Sequence, residues 1–228
     1  MKSWCIGKPS GSYVAKMEDV LDVYQRPYDP ARPVICLDET SKELHATPRG
    51  QLPLQPDQPR REDYEYERHG VANLFMVLEP LRGWRKVQVT DRRTKQDFAE
   101  QLQQLADQDF AAAEVIVLIT DNLNTHGPSA LYERFEAVEA HRLAAKFEWH
   151  YTPEHASWLN VAECELSVLA GQCLDQQIPD KATLIREVAA WEARRNKKCT
   201  KVDWQFTTVD ARIKLKRLYP VIKEQNLA

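Results

Sequence analysis

Two short apolar runs, each ending on an aspartate, constrain this chain more than any other feature of its sequence. Val34-Ile35-Cys36-Leu37 runs into Asp38, and residues 115–120 run into Asp121. Both runs are brief, rich in β-branched residues and almost wholly apolar, as in strands covered on both faces of a sheet. Ligand sites in such sheets lie beyond the carboxyl ends of strands, so two aspartates there can face one crevice. A third carboxylate, Glu163, falls just inside an amphipathic stretch that opens at Ser157-Trp158-Leu159-Asn160. A lone strand-end aspartate caps a turn as readily as it serves chemistry. Two of them with a helix-borne glutamate form a donor set suited to a pair of Mg²⁺ ions acting on a phosphodiester.

The rest of the chain supplies elements around these runs. Residues 14–24 read as an amphipathic helix, broken by Arg26-Pro27-Tyr28-Asp29-Pro30. A strand over 34–37 is followed by a turn near Ser41 and a second strand over 44–46. Pro48, Pro53, Pro56 and Pro59 predict an irregular surface loop, and 64–68 an edge strand or polar loop. Residues 71–78 and 84–90 form a hairpin around Pro80-Leu81-Arg82-Gly83. Thr94 caps a helix to residue 106 with Phe98, Leu102 and Leu105 as its apolar stripe. The strand ending at Asp121 leads to a helix over 129–140, a strand over 147–150, the Glu163 helix over 158–175 and a helix over 182–195.

Three blocks sharpen the reading. Cys36-Leu37-Asp38-Glu39, Thr120-Asp121-Asn122-Leu123-Asn124-Thr125-His126 and the stretch from His150 to Glu163 occur in that order. Together they resemble the DDE blocks of mariner-like transposases, in the branch carried by bacterial insertion sequences. The third block is the most specific: Pro153, a short spacer, Leu159-Asn160, two residues, then Glu163. Forty-one residues separate Asp121 from Glu163, and the likeness runs from about Trp4 to Tyr219.

The resemblance implies an α/β chain with the ribonuclease-H-like fold, a mixed central sheet flanked by helices, and the order of elements agrees. It implies an N-terminal linker and short helix over 1–33, a catalytic core over 34–180 and a basic helical segment over 181–228 packed on that core. It assigns Asp38, Asp121 and Glu163 to catalysis and to two Mg²⁺ ions, with Mn²⁺ as a substitute. The activity implied is DNA cleavage and strand transfer by a homodimer or higher assembly on transposon ends and target DNA. Family members usually begin with a helix-turn-helix region that reads the element ends. None is found before Trp4, so a split transposase with a separately encoded helix-turn-helix part, or a truncated copy, is expected.

Other residues are placed around this core. Asn122, His126, Trp158 and Asn160 are candidates to support the carboxylates or touch DNA, although a tryptophan opening a helix commonly packs on a core. Glu165 sits two residues from Glu163 and faces another side of the helix, flanking the stripe Leu159, Ala162, Leu166, Leu169 and Cys173. Geometry does not choose between the two glutamates; the Leu-Asn-x-x-Glu register selects Glu163 and leaves Glu165 as an exposed charge. Glu39 alternates to the face opposite Asp38 and is read as structural or supporting.

Charge is uneven along the chain. The total is −3, but residues 181–228 hold twelve Lys/Arg against five Asp/Glu. Arg194, Arg195, Lys197, Lys198 and Lys201 are the candidate phosphate contacts on this basic segment. Five scattered cysteines without a CxxC pair predict reduced thiols in the cytoplasm, and His150 and His155 lack the partners of a zinc site. No apolar run approaches the roughly 18–20 residues of a membrane span. A ribonuclease-H-type nuclease would share fold and metals but lack the third block. A haloacid-dehalogenase-type phosphatase needs Asp-x-Asp, where Thr40 stands instead. An inactive remnant that only binds DNA or a partner is the non-enzymatic alternative.

Overall fold

The computed structural model describes residues 10–47, 65–123 and 125–221. One mixed sheet carries five strands in the order β3-β2-β1-β4-β5. They are β1 (Val34–Ala46), β2 (Glu67–Glu79), β3 (Trp84–Thr90), β4 (Ile116–Thr120) and β5 (Phe147–Tyr151). β1, β2 and β3 form an antiparallel meander, while β4 and β5 add in parallel on the other side of β1. The helices among the described residues are α1 (Gly11–Tyr24), α2 (Lys95–Gln104), α3 (Ser129–Arg134), α4 (Ala137–Ala145), α5 (Val161–Leu169), α6 (Lys181–Lys197) and α7 (Thr208–Lys214). This is the expected α/β architecture of the ribonuclease-H-like fold, a mixed sheet flanked by helices.

Strand alternation divides the core into two layers. Ile35 and Leu37 of β1, Phe75 and Val77 of β2 and Leu118 of β4 pack with Phe98, Leu102, Leu131 and Leu143 of α2, α3 and α4. Cys36, Leu74, Met76 and Ile119 point the other way, onto Met17 and Leu21 of α1, Leu166 of α5 and Trp191 of α6. With helices on both faces, the β1 and β4 segments that carry the aspartates are apolar throughout.

Several boundaries differ from the sequence reading. β1 is one strand of 13 residues, not two with a turn near Ser41. The polar run Thr40-Ser41-Lys42 stays extended because β2 pairs with it, and Ser41 Oγ donates to Asn73 Oδ1 across the ladder at 2.8 Å. The stretch expected as one helix over 129–140 is two, because Phe135 adopts an extended backbone and packs into the core between them. The Glu163 helix also starts later. Ser157–Leu159 makes a 3₁₀ turn, Asn160 is extended and caps α5 by accepting from Ala162 N at 3.1 Å, and a π-helical turn Ala170–Leu174 follows Leu169. Thr94 caps α2 in a reciprocal box with Asp97, as read, although a π-helical turn takes over at Leu105. The loop at Pro48, Pro53, Pro56 and Pro59 lies outside the described residues, as does Asn124.

α6 covers the outer edge of β3. Asn196 Oδ1 and Glu192 Oε2 accept from the backbone N–H groups of Arg85 and Val87 at 2.9 and 2.7 Å, so side chains satisfy donors that an edge strand would otherwise expose. The same junction corrects the reading of Glu165 as an exposed charge. Its side chain is 4 % exposed, with Arg85 Nε 2.9 Å away and Arg195 donating in bidentate fashion at 2.9 and 2.7 Å. Arg85 itself is fully buried and donates from Nη2 to Thr200 O at 2.7 Å.

Removing one partner from such a cluster strands a buried charge, a loss of roughly 3–5 kcal/mol. Glu165→Gln is therefore expected to lower the free energy of unfolding by about that amount in urea titrations. A loss below about 1 kcal/mol would mean that the cluster is solvated.

Candidate active site

The pairing register of β1 and β4 assembles the site. Their parallel ladder matches Val34 with Val117, Ile35 with Leu118 and Cys36 with Ile119. Asp38 and Asp121 each follow the last pair by two residues, so they stand level and on the same face, the one covered by α5. α5 begins beside this point and carries Glu163 in its first turn. All three carboxylates line one cleft of about 1040 Å³, with Arg93, Asn122 and Asn160 among its other walls.

Each aspartate is held by donors. Asp38 Oδ1 accepts from the Glu39 amide at 2.8 Å, and its Oδ2 accepts from Asn160 Nδ2 at 3.1 Å. Asn160, 1 % exposed, also donates to Leu37 O at 3.2 Å, so the residue that caps α5 grips the end of β1. Tyr24 secures this turn from behind: its hydroxyl donates to Leu159 O at 2.7 Å and accepts from Val161 N at 3.3 Å. Asp121 Oδ1 accepts from Leu123 N at 3.2 Å and contacts His126 Nδ1. Among the described residues, the Glu163 carboxylate has no hydrogen-bond partner.

Burial raises the Asp38 pKa to about 7; the Glu39 amide opposes the shift, and the charges of Asp121, Glu39 and Glu163 add to it. His126 is the counterweight. Its burial pushes the pKa down, but the contacts with Asp121 and Glu39 prevail and hold it at about 9, so the ring is an imidazolium at neutral pH.

The chemistry of the three carboxylates fits a hard divalent cation. Among the described residues, however, no three His, Cys, Asp or Glu side chains converge closely enough to enclose an ion as they stand. Binding would have to draw them together, and among the described residues Glu163 is the one of the three whose carboxylate has no hydrogen bond to give up.

The remaining sequence candidates separate. Asn122 lies exposed on the cleft wall. Trp158, half-buried, packs on Trp204 and Phe206, with ring centroids at 6.3 and 5.9 Å. Arg195 is tied to Glu165, unlike the other basic candidates. Arg194, Lys197, Lys198 and Lys201 are exposed and have no acidic partner among the described residues. Tyr24 escaped sequence reasoning because nothing in a helix-borne tyrosine signals a contact 135 residues away.

Comparison with known proteins places the chain. A family model described as DDE superfamily endonuclease matches residues 33–185, well over half of the sequence. The chain belongs to the DDE endonuclease superfamily. No curated protein matches it significantly in sequence. Among solved structures, this DDE chain is similar to a Mos1 transposase paired-end complex with the left transposon end, at TM-score 0.57 and 14% identity over 88% of this chain and 65% of that one. It is also similar to the Mos1 mariner paired-end complex with Mn, at TM-score 0.55 and 14% identity over 88% and 66%. A third match is the Mos1 paired-end complex with Mg, at TM-score 0.55 and 12% identity over 97% and 68%. At these identities the likeness is one of fold, and the DDE chain spans about two thirds of the length of those proteins.

A cleft of mutually repelling carboxylates gains stability from a bound cation by mass action. With a dissociation constant of ~1 mM, 10 mM Mg²⁺ contributes about 1.4 kcal/mol, and the melting temperature should rise by a few degrees in thermal denaturation. Asp38→Asn and Asp121→Asn should flatten that response. Identical curves for wild type and Asp38→Asn would show that the cleft takes no ion.

Proposed function

We propose that this DDE chain is the catalytic domain of a mariner-like DNA transposase from a bacterial insertion sequence, cutting DNA and joining the freed 3′ end to target DNA. The observation that carries the proposal is the level placement of Asp38 and Asp121 on one face of β1 and β4, with Glu163 on the wall of the same cleft.

Asp38, Asp121 and Glu163 would hold the divalent ions. When bound, two Mg²⁺ ions, or Mn²⁺ in their place, supply a more acidic water or 3′-hydroxyl and a positive counter-charge for the leaving oxygen. The chain supplies orientation. Asn160 and the Glu39 amide fix both oxygens of Asp38, and His126 with the Leu123 amide fixes one oxygen of Asp121. Glu163 stays adjustable, which suits a carboxylate that must serve cleavage and then strand transfer. No side chain need become a covalent nucleophile, since water and then a DNA hydroxyl attack the phosphorus in turn.

DNA would be held through Arg194 and Lys197 in the last turn of α6 and Lys198 and Lys201 just beyond it, exposed cations with no acidic partner among the described residues to release first. The Mos1 structures are paired-end and strand-transfer complexes, which supports a homodimer or larger assembly on DNA ends for this chain. Among the described residues no helix is long and apolar enough to cross a membrane, in keeping with an enzyme that works on the chromosome in the cytoplasm.

Glu163→Gln is nearly isosteric and removes a charged oxygen from a side chain that makes no hydrogen bond. Strand cleavage with Mn²⁺ on end-containing DNA should fall by about 100-fold or more, while unfolding free energy stays within about 0.5 kcal/mol. Cleavage within a few-fold of wild type would reject Glu163 as the third carboxylate.

A further inference from the structure

Glu39 shares β1 with Asp38, yet alternation turns it to the opposite layer of the sheet. Its carboxylate is 5 % exposed, and Oε2 lies 3.0 Å from Nε2 of the 1 % exposed His126. That contact is an ion pair without the alignment of a hydrogen bond. Among the described residues the only other cation paired with Glu39 is Arg93, 4.0 Å away and about half exposed.

The imidazole between these groups has little freedom. It stacks on Phe98 with centroids 4.6 Å apart and planes 29° apart, and Thr120 Oγ1 lies 3.4 Å from Nδ1. Phe98 sets the plane of the ring, and a carboxylate at each nitrogen sets its rotation: Glu39 at Nε2 and Asp121 at Nδ1. An apolar pair of similar volume would fill the same space at lower desolvation cost. What only the Glu39–His126 pair supplies is a directed donor to Asp121.

We infer that Glu39 is a positioning residue that acts through His126 to fix which oxygen of Asp121 faces the cleft. With Oδ1 taken by His126 and by the Leu123 amide, Oδ2 is the oxygen left for an ion. β1 thus serves both aspartates, contributing Asp38 directly and steering Asp121 from the reverse face. The inference rests on the reading of Asp38, Asp121 and Glu163 as the metal-holding carboxylates.

Mn²⁺ affinity of the whole chain, measured by electron paramagnetic resonance of the free ion without DNA, tests it. Glu39→Met keeps the length of the side chain but offers His126 no acceptor, and should weaken Mn²⁺ binding roughly 10- to 100-fold. Glu39→Gln, which returns an oxygen beside Nε2 without the charge of the ion pair, should recover part of that loss. A merely structural role predicts the reverse: Glu39→Met lowers the melting temperature in EDTA and binds Mn²⁺ like wild type, which overturns the inference. Should Glu39→Met fail to fold, His126→Gln, which keeps a polar group toward Glu39 and withdraws the donor from Asp121, carries the same expectation and the same refutation. Wild-type protein that binds no Mn²⁺, or binds it no better than Asp121→Asn, would instead sink the metal reading of the cleft and this inference with it.

Discussion

Three residue pairs between β1 and β4 decide whether this chain has a site at all. The parallel match of Cys36 with Ile119 sets Asp38 and Asp121 level and on one face. A slip of one residue would turn Asp121 toward α2 and leave the two carboxylates on opposite sides of the sheet. So short a ladder is fixed from outside. β1 is pinned along its length by β2, and β4 is seated at its start by Glu114 N and Val115 N donating to Ala31 O and by Val117 N donating to Pro33 O. β2 therefore acts as a ruler for a site to which it contributes no carboxylate of its own.

The two charge clusters beside α5 make an informative contrast. Glu165 is buried with two arginines, one of them fully enclosed, and its charge is more than matched within the protein. At the cleft, His126 and, at 4.0 Å, Arg93 are among the described residues the only cations paired with any of Asp38, Glu39, Asp121 and Glu163. The first arrangement closes on itself. The second leaves excess negative charge in a partly buried place, where burial first and the neighbouring carboxylates after it raise the Asp38 pKa, and a perturbed carboxylate in a cleft is the mark of a candidate functional site. Two glutamates separated by a single residue thus have unrelated surroundings, one on the cleft wall and one in an internal ion cluster.

How legible this was depended on the range of the interaction. The strand-end aspartates and the Thr94 cap follow from local patterns, a brief apolar run before each aspartate and a threonine just ahead of an apolar helical stripe, and the structure places them as those patterns require. The polar middle of β1 misled, because Thr40-Ser41-Lys42 favours a turn until β2 offers a ladder from more than thirty residues away. Glu165 misled for the same reason: its arginine partners sit on β3 and α6, and no window around α5 contains them. Register in the third block separated Glu163 from Glu165, whereas the Glu39–His126 contact joins residues 87 positions apart in the chain. Alternation showed only that Glu39 turns away from Asp38, not what it meets there.

Tyr24 redraws the outline of the unit that holds the cleft. The stretch that matches the family model begins at residue 33 and stops at 185, after α1 has ended and before most of α6 has formed. Yet the hydroxyl that braces both sides of the Asn160 turn comes from the last residue of α1, and the side chains that close the β3 edge come from the final turns of α6. A protein cut to the family limits would retain every carboxylate of the cleft while losing the brace behind one wall and the cover on the far strand. In this chain the evolutionary module and the mechanical module have different borders, and the mechanical one is the larger.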